Sequence, residues 1–145
     1  MSDKFKNKYR IPSSRLSNWD YSSNGYYFIT ICTKERKHYF GKIINNKINL
    51  TEIGRITKKY WREIPKHFPF IELDEFAIMP NHVHGIIIIR NVIPHVETQN
   101  FASLQQAESI KPQNKFGPQS KNLASIIRGY KIGVKKYATI NKINF

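Results

Sequence analysis

Acidic residues are scarce in this chain: 10 Asp and Glu stand against 24 Lys and Arg in 145 residues, a net charge of +14. Cysteine is scarcer still, with Cys32 alone. One thiol cannot close an internal disulfide, and no cysteine cluster exists to hold zinc, which fits a reducing cytoplasm. No run approaches the ~18 consecutive apolar residues of a membrane-spanning helix. The first ten residues carry charge but no apolar core, so they do not read as a secretory leader. A cytoplasmic protein without membrane segments is expected. With 40% hydrophobic and 13% aromatic residues, the chain is long enough for one domain with a real core and short for two.

The excess of positive charge points to a polyanion, nucleic acid first. It is concentrated late in the chain: from Ser109 to Phe145 there are eight basic residues and no acidic one. Residues 1–24 are polar and basic, and interleave Arg10 and Arg15 with Trp19 and Tyr21. Such an arm can follow a phosphate backbone or stack on a base, or it can cover a sheet edge.

Beyond it, Tyr26–Thr33 reads as a strand, rich in β-branched and aromatic residues. Residues 42–50 read as a hairpin turning at Asn45-Asn46, because Asn tolerates the left-handed conformation. Thr51 is the expected N-cap of a helix to about Ile64, ended by Pro65 and Pro69. Ile71–Met79 and His82–Arg90 follow as two strands separated by a very short break, which makes them an antiparallel pair. Residues 91–120 hold three prolines, many Gln and Asn and little periodicity, and read as an insertion. Asn122 or Ser120 then caps a helix from Leu123 to Ala138. On it Leu123, Ile126, Ile127, Tyr130, Val134 and Tyr137 form an apolar stripe. Arg128, Lys131, Lys135 and Lys136 lie opposite, as a phosphate-facing stripe. Gly129 and Gly133, four residues apart, suggest close approach of another backbone. The expected fold is α+β: a ferredoxin-like antiparallel sheet with helices on one face, and without its last strand. The domain is placed at 25–145.

The chemistry centres on residues 76–90, where His82-Val83-His84 opens a run of four isoleucines. On a strand, residues i and i+2 point to one face, so the two imidazoles project side by side and can converge on one metal ion or phosphate. The bland alternative is a pair of half-buried histidines satisfied by their neighbours. Pro80-Asn81 places the pair at a strand entry, within reach of a ligand.

Met79-Pro-Asn-His-Val-His-Gly-Ile86 resembles the His-hydrophobic-His motif of the single-tyrosine HUH transposases. It is most similar to the branch called REP-associated tyrosine transposases. Asn18–Tyr21, Gly25–Thr33, His38–Gly41, Ile64–Pro69 and Leu123–Lys131 resemble that branch as well. The resemblance implies that His82 and His84 hold a divalent metal, Mg²⁺ or Mn²⁺, at the scissile phosphate of single-stranded or hairpin DNA. It implies a tyrosine nucleophile that forms a 5′-phosphotyrosine link, for DNA nicking and joining during transposition. It also implies that this tyrosine and a third metal ligand sit on a helix after the missing strand, so the chain is expected to be a C-terminally truncated, inactive form. Tyr130 is the candidate nucleophile within the chain, although its place in an apolar stripe favours packing. The basic candidates for DNA are Arg10, Arg15, Arg128, Lys131, Lys135 and Lys136. A homodimer is compatible with a strand that is apolar on both faces. Two other readings stand beside this one. A non-catalytic nucleic-acid-binding module on the same sheet would be marked by outward-facing aromatics on the first strand, and leaves the His pair without a task. A metal hydrolase is disfavoured, because barrel enzymes with His-x-His need far more chain.

Overall fold

A computed structural model describes residues 15–91 and 121–145. Arg10, Ser120 and all of the expected insertion except Asn91 lie outside them. Among the described residues five strands and two α-helices follow in the order β1 (Gly25–Cys32), β2 (Gly41–Ile44), β3 (Lys47–Leu50), α1 (Glu52–His67), β4 (Ile71–Met79), β5 (His82–Ile89) and α2 (Leu123–Ile140). The sheet order is β1-β5-β4, antiparallel throughout, so the His-bearing strand is central. The helices pack on this sheet, and the α+β arrangement is compatible with the ferredoxin-like expectation. Among the described residues no helix is long and apolar enough to cross a membrane.

The local chemistry explains the boundaries. Asn45 and Asn46 both adopt positive φ, 51° and 58°, and turn the β2–β3 hairpin. The Thr51 hydroxyl accepts a hydrogen bond from the Gly54 amide and starts α1. Asn122 and Ser125 cap each other's backbone amides and start α2. Contrary to expectation, Pro65 does not end α1, which runs on to His67. In the last turn Pro removes only one N–H from the ladder, and Phe68 still donates to the Ile64 carbonyl.

Alternation decides which sheet face is covered. Tyr27, Ile29 and Ile31 of β1 face the helices, opposite Ile87, Gly85 and Val83 of β5. Trp61 of α1 is fully buried over Gly85, where a Cβ would stand 2.8 Å from the indole and 2.6 Å from the Phe76 Cβ. The glycine that follows the His pair is thus the place where the helix layer touches the strand. Tyr130 of α2 packs edge-on against Trp61, with ring centres 5.3 Å apart.

The groove at Gly129 and Gly133 is not filled by another backbone. The rings of Phe68 and Tyr60 lie against them, at 3.8 Å and 3.3 Å from where a Cβ would be. Large side chains of α1 and its following turn reach across, so the two helices meet through rings. The part of the basic arm that is described is also docked rather than extended. The Tyr21 carbonyl accepts from the Leu123 amide, and the Trp19 indole donates to the Tyr27 hydroxyl at 3.1 Å.

Candidate metal and nucleic-acid site

His82 and His84 lie on the sheet face away from the helices, both half-buried, with ring centres 5.2 Å apart. A metal–nitrogen bond of ~2.1 Å places each ring centre about 3.2 Å from a shared ion, and ligand angles of about 90–110° then separate the rings by roughly 4.6–5.3 Å. The observed spacing falls in that window. The His82 Nδ1 sits 2.8 Å from the Asn81 Oδ1, and the carboxamide oxygen can only accept, so Nδ1 carries the proton. That leaves the Nε2 lone pair free for an ion, and an outer hydrogen bond of this kind is the usual means of fixing a ligand's tautomer. Burial lowers the His82 pKa below the ordinary value, with the charges of His84 and Arg36 acting in the same direction. All three effects keep the imidazole neutral and available to a metal. Among the described residues no group of three His, Cys, Asp or Glu side chains converges to hold an ion. Among the described residues the pair could thus offer an ion two ligands.

The strand entry is tied to the segment after β1. The Thr33 amide and hydroxyl both donate to the Asn81 carbonyl, and the Asn81 carboxamide nitrogen donates to the Arg36 carbonyl. This holds the 3₁₀ turn Lys34–Arg36 beside His82. Glu35 and Arg36 both take φ of 54°, a conformation that costs non-glycine residues energy. Lys34, Arg36 and Lys37 are exposed there beside Glu35, which pairs with Lys37 at 3.0 Å, so the open end of the site carries net positive charge. Replacing Asn81 by alanine should weaken Mn²⁺ binding by about ten- to one hundredfold, the usual effect of losing an outer hydrogen bond, and leave the helical circular dichroism unchanged. Calorimetric titration checks it.

The structure does not bring the other sequence candidates to this site. Tyr130 is buried on the helix side of the sheet, and its hydroxyl donates to the Thr57 carbonyl at 3.2 Å. Burial pushes its pKa well above the ordinary phenol value, which opposes the phenolate a nucleophile needs. Tyr130 is a packing residue. Arg128, Lys131, Lys135 and Lys136 are exposed on α2, also on the helix side, and Lys135 is held to the Phe145 carbonyl and lies over its ring. The basic stripe and the His pair thus occupy opposite sides of the fold. Arg15 is exposed near the start of the described chain. Of the remaining tyrosines, Tyr137 donates to Glu52 and Tyr27 to the Ser23 carbonyl. Tyr26 shares the open face, but lies four residues along β1 from Thr30, the partner of His84, or about 13 Å by strand rise.

Sequence reasoning did not single out Asn81, Arg36, Phe28 and Tyr26 as site residues. Asn81 was visible as the polar residue before the first histidine. The strand residues could have been found by comparing the alternating sets of β1, since Tyr27, Ile29 and Ile31 make a more aliphatic face than Tyr26, Phe28 and Thr30.

No protein-family model and no solved structure matches the chain. A Haemophilus influenzae protein described as uncharacterized is 41% identical over 129 residues, which is 89% of this chain and 68% of that one. The chain belongs to that protein's family. The relative's name assigns no activity, so the function is argued from the site itself.

Proposed function

We propose that this protein acts on single-stranded or hairpin DNA, with His82 and His84 holding a divalent metal, Mg²⁺ or Mn²⁺, at a backbone phosphate. The activity served is DNA nicking and joining of the transposase type. The observation that carries this reading is the His pair: two neighbouring imidazoles at metal-sharing distance, one with its tautomer set by Asn81, beside a basic turn. Bound there, the metal would neutralise phosphate charge and polarise the phosphorus–oxygen bond. Imidazole ligands suit Mn²⁺ better than Mg²⁺. The chain's own residues orient the imidazoles, and Arg36 adds fixed positive charge at the same end. The resemblance to REP-associated tyrosine transposases in Met79–Ile86 supports the same chemistry.

A second reading is a non-catalytic nucleic-acid-binding module. The outward rings of Tyr26 and Phe28, 68% and 70% exposed, favour it. Fluorescence anisotropy with a labelled hairpin oligonucleotide separates the two. On the first reading Mn²⁺ tightens binding to the wild type and has no effect on the His82→Ala/His84→Ala variant. Equal binding by both proteins, with and without metal, would leave only the second. In the same mixture, a covalent protein–DNA adduct that disappears on Tyr130→Phe substitution would contradict the assignment of Tyr130 to packing.

A further inference from the structure

Four outward positions of β1 form a row: Tyr26, Phe28, Thr30 and Cys32, opposite Ile88, Ile86, His84 and His82 of β5. Two of them are large rings left in solvent. Phe28 lies 6.1 Å from the His84 ring, and His84 lies 5.2 Å from His82. The rings therefore run without a break from the metal pair onto β1, and the half-buried Ile86 lies beside Phe28 as an apolar floor.

We infer that Phe28 and Tyr26 are stacking platforms for two unpaired bases of a nucleic-acid strand whose phosphate is held at His82 and His84. The inference rests on the nucleic-acid reading of the site and adds its base-binding half. Three observations select this occupant. Outward side chains two apart on a strand are about 7 Å apart. That is about twice the ~3.4 Å rise of a helical strand. Bases resting on both rings must be splayed, which an unpaired strand allows and a duplex does not. Charge is the second observation. The rim at Lys34, Arg36 and Lys37 stays net basic although Lys37 pairs with Glu35 at 3.0 Å, while on the far strand β4 Glu72 pairs with Arg90 at 3.0 Å and Asp74 and Glu75 are exposed. A polyanion is drawn to the β1 side and repelled from β4. The third is the net charge of +14. A second copy of the chain seated on this face would bring two basic rims together, whereas a nucleic acid supplies both negative charge and ring faces.

The test measures anisotropy of a labelled eight-nucleotide oligothymidylate, with an oligouridylate and a duplex as parallel probes. Phe28→Ala and Tyr26→Ala should each lower affinity for a single strand about tenfold, as loss of a stacked ring does. Phe28→Trp should retain it, and the weak duplex binding should change less than twofold. Thermal melting controls for folding, since both side chains stand in solvent. If the alanine variants bind the single strand as the wild type does, while His82→Ala/His84→Ala still removes the Mn²⁺ enhancement, the stacking inference fails and the metal reading stands. If alanine lowers affinity and the histidine variant has no effect, the stacking inference stands and the metal reading fails. Preference for oligouridylate over oligothymidylate keeps the platform and makes RNA its ligand. If the wild type binds neither strand and elutes as a dimer that Phe28→Ala dissociates, the face joins copies of the chain and the inference is overturned.

Discussion

Trp61→Ala is expected to cost about 3–5 kcal/mol of folding stability, the range for removing a fully buried large aromatic. Trp61 has no exposed surface and joins all the layers of the core. It stacks on Phe76 of β4 with ring centres 5.9 Å apart, meets Tyr130 of α2 edge-on and covers Gly85 of β5. Removing it empties the volume against which the central strand is pressed. The neighbours are rings and a glycine, so collapse onto the hole is poor and the upper part of the range is expected. The indole Nε1 has no hydrogen-bond partner, so its loss breaks no bond and the cost is one of packing. Single domains of this size are stable by about 5–15 kcal/mol, so the variant should be marginal at 25 °C. Urea unfolding followed by circular dichroism measures the change. A shift below about 1 kcal/mol would mean that Trp61 does not organise the core.

The second large effect is on metal uptake. The double variant His82→Ala/His84→Ala should lose measurable Mn²⁺ binding in calorimetry, a drop beyond the ten- to one hundredfold expected for Asn81. Either single variant should lose at least one hundredfold, because only two imidazoles converge among the described residues. Folding stability should move by less than about 0.5 kcal/mol, since both side chains are half-buried on the open face and no packed core rests on them. A loss of stability with unchanged metal affinity would make the pair structural.

Much of the fold was legible in the residues. The Ile71–Met79 strand, the Asn45-Asn46 turn, the Thr51 cap and the Leu123–Val134 stripe each have one dominant local cause, and each sits in the structure where that cause puts it. The misses have tertiary causes. Pro65 reads as a stop, but α1 was already held by Trp61 and Ile64 in the core, so its last turn persists. Gly129 and Gly133 signal close approach without saying whether a backbone or a ring comes near. The His pair was visible because its spacing is local. Which side of the sheet it occupies relative to α2 was not, since that depends on how the helices seat. This is why Tyr130 and the basic stripe, reasonable by sequence, lie on the other side of the fold. The outward set of Tyr26 and Phe28 differs from the inward set of β1 only in being less aliphatic, a faint signal that becomes plain once the helices are seen to cover the other face.

The account depends most on His82 and His84 forming one metal centre. Nuclear magnetic resonance of the imidazole protons tests it directly, because substoichiometric Mn²⁺ broadens the protons nearest to it. His82 and His84 should lose their signals first and together, while His67, at the C-terminal end of α1, stays sharp. Equal broadening of His67, or sharp His82 and His84 signals at a full equivalent of Mn²⁺, would contradict it.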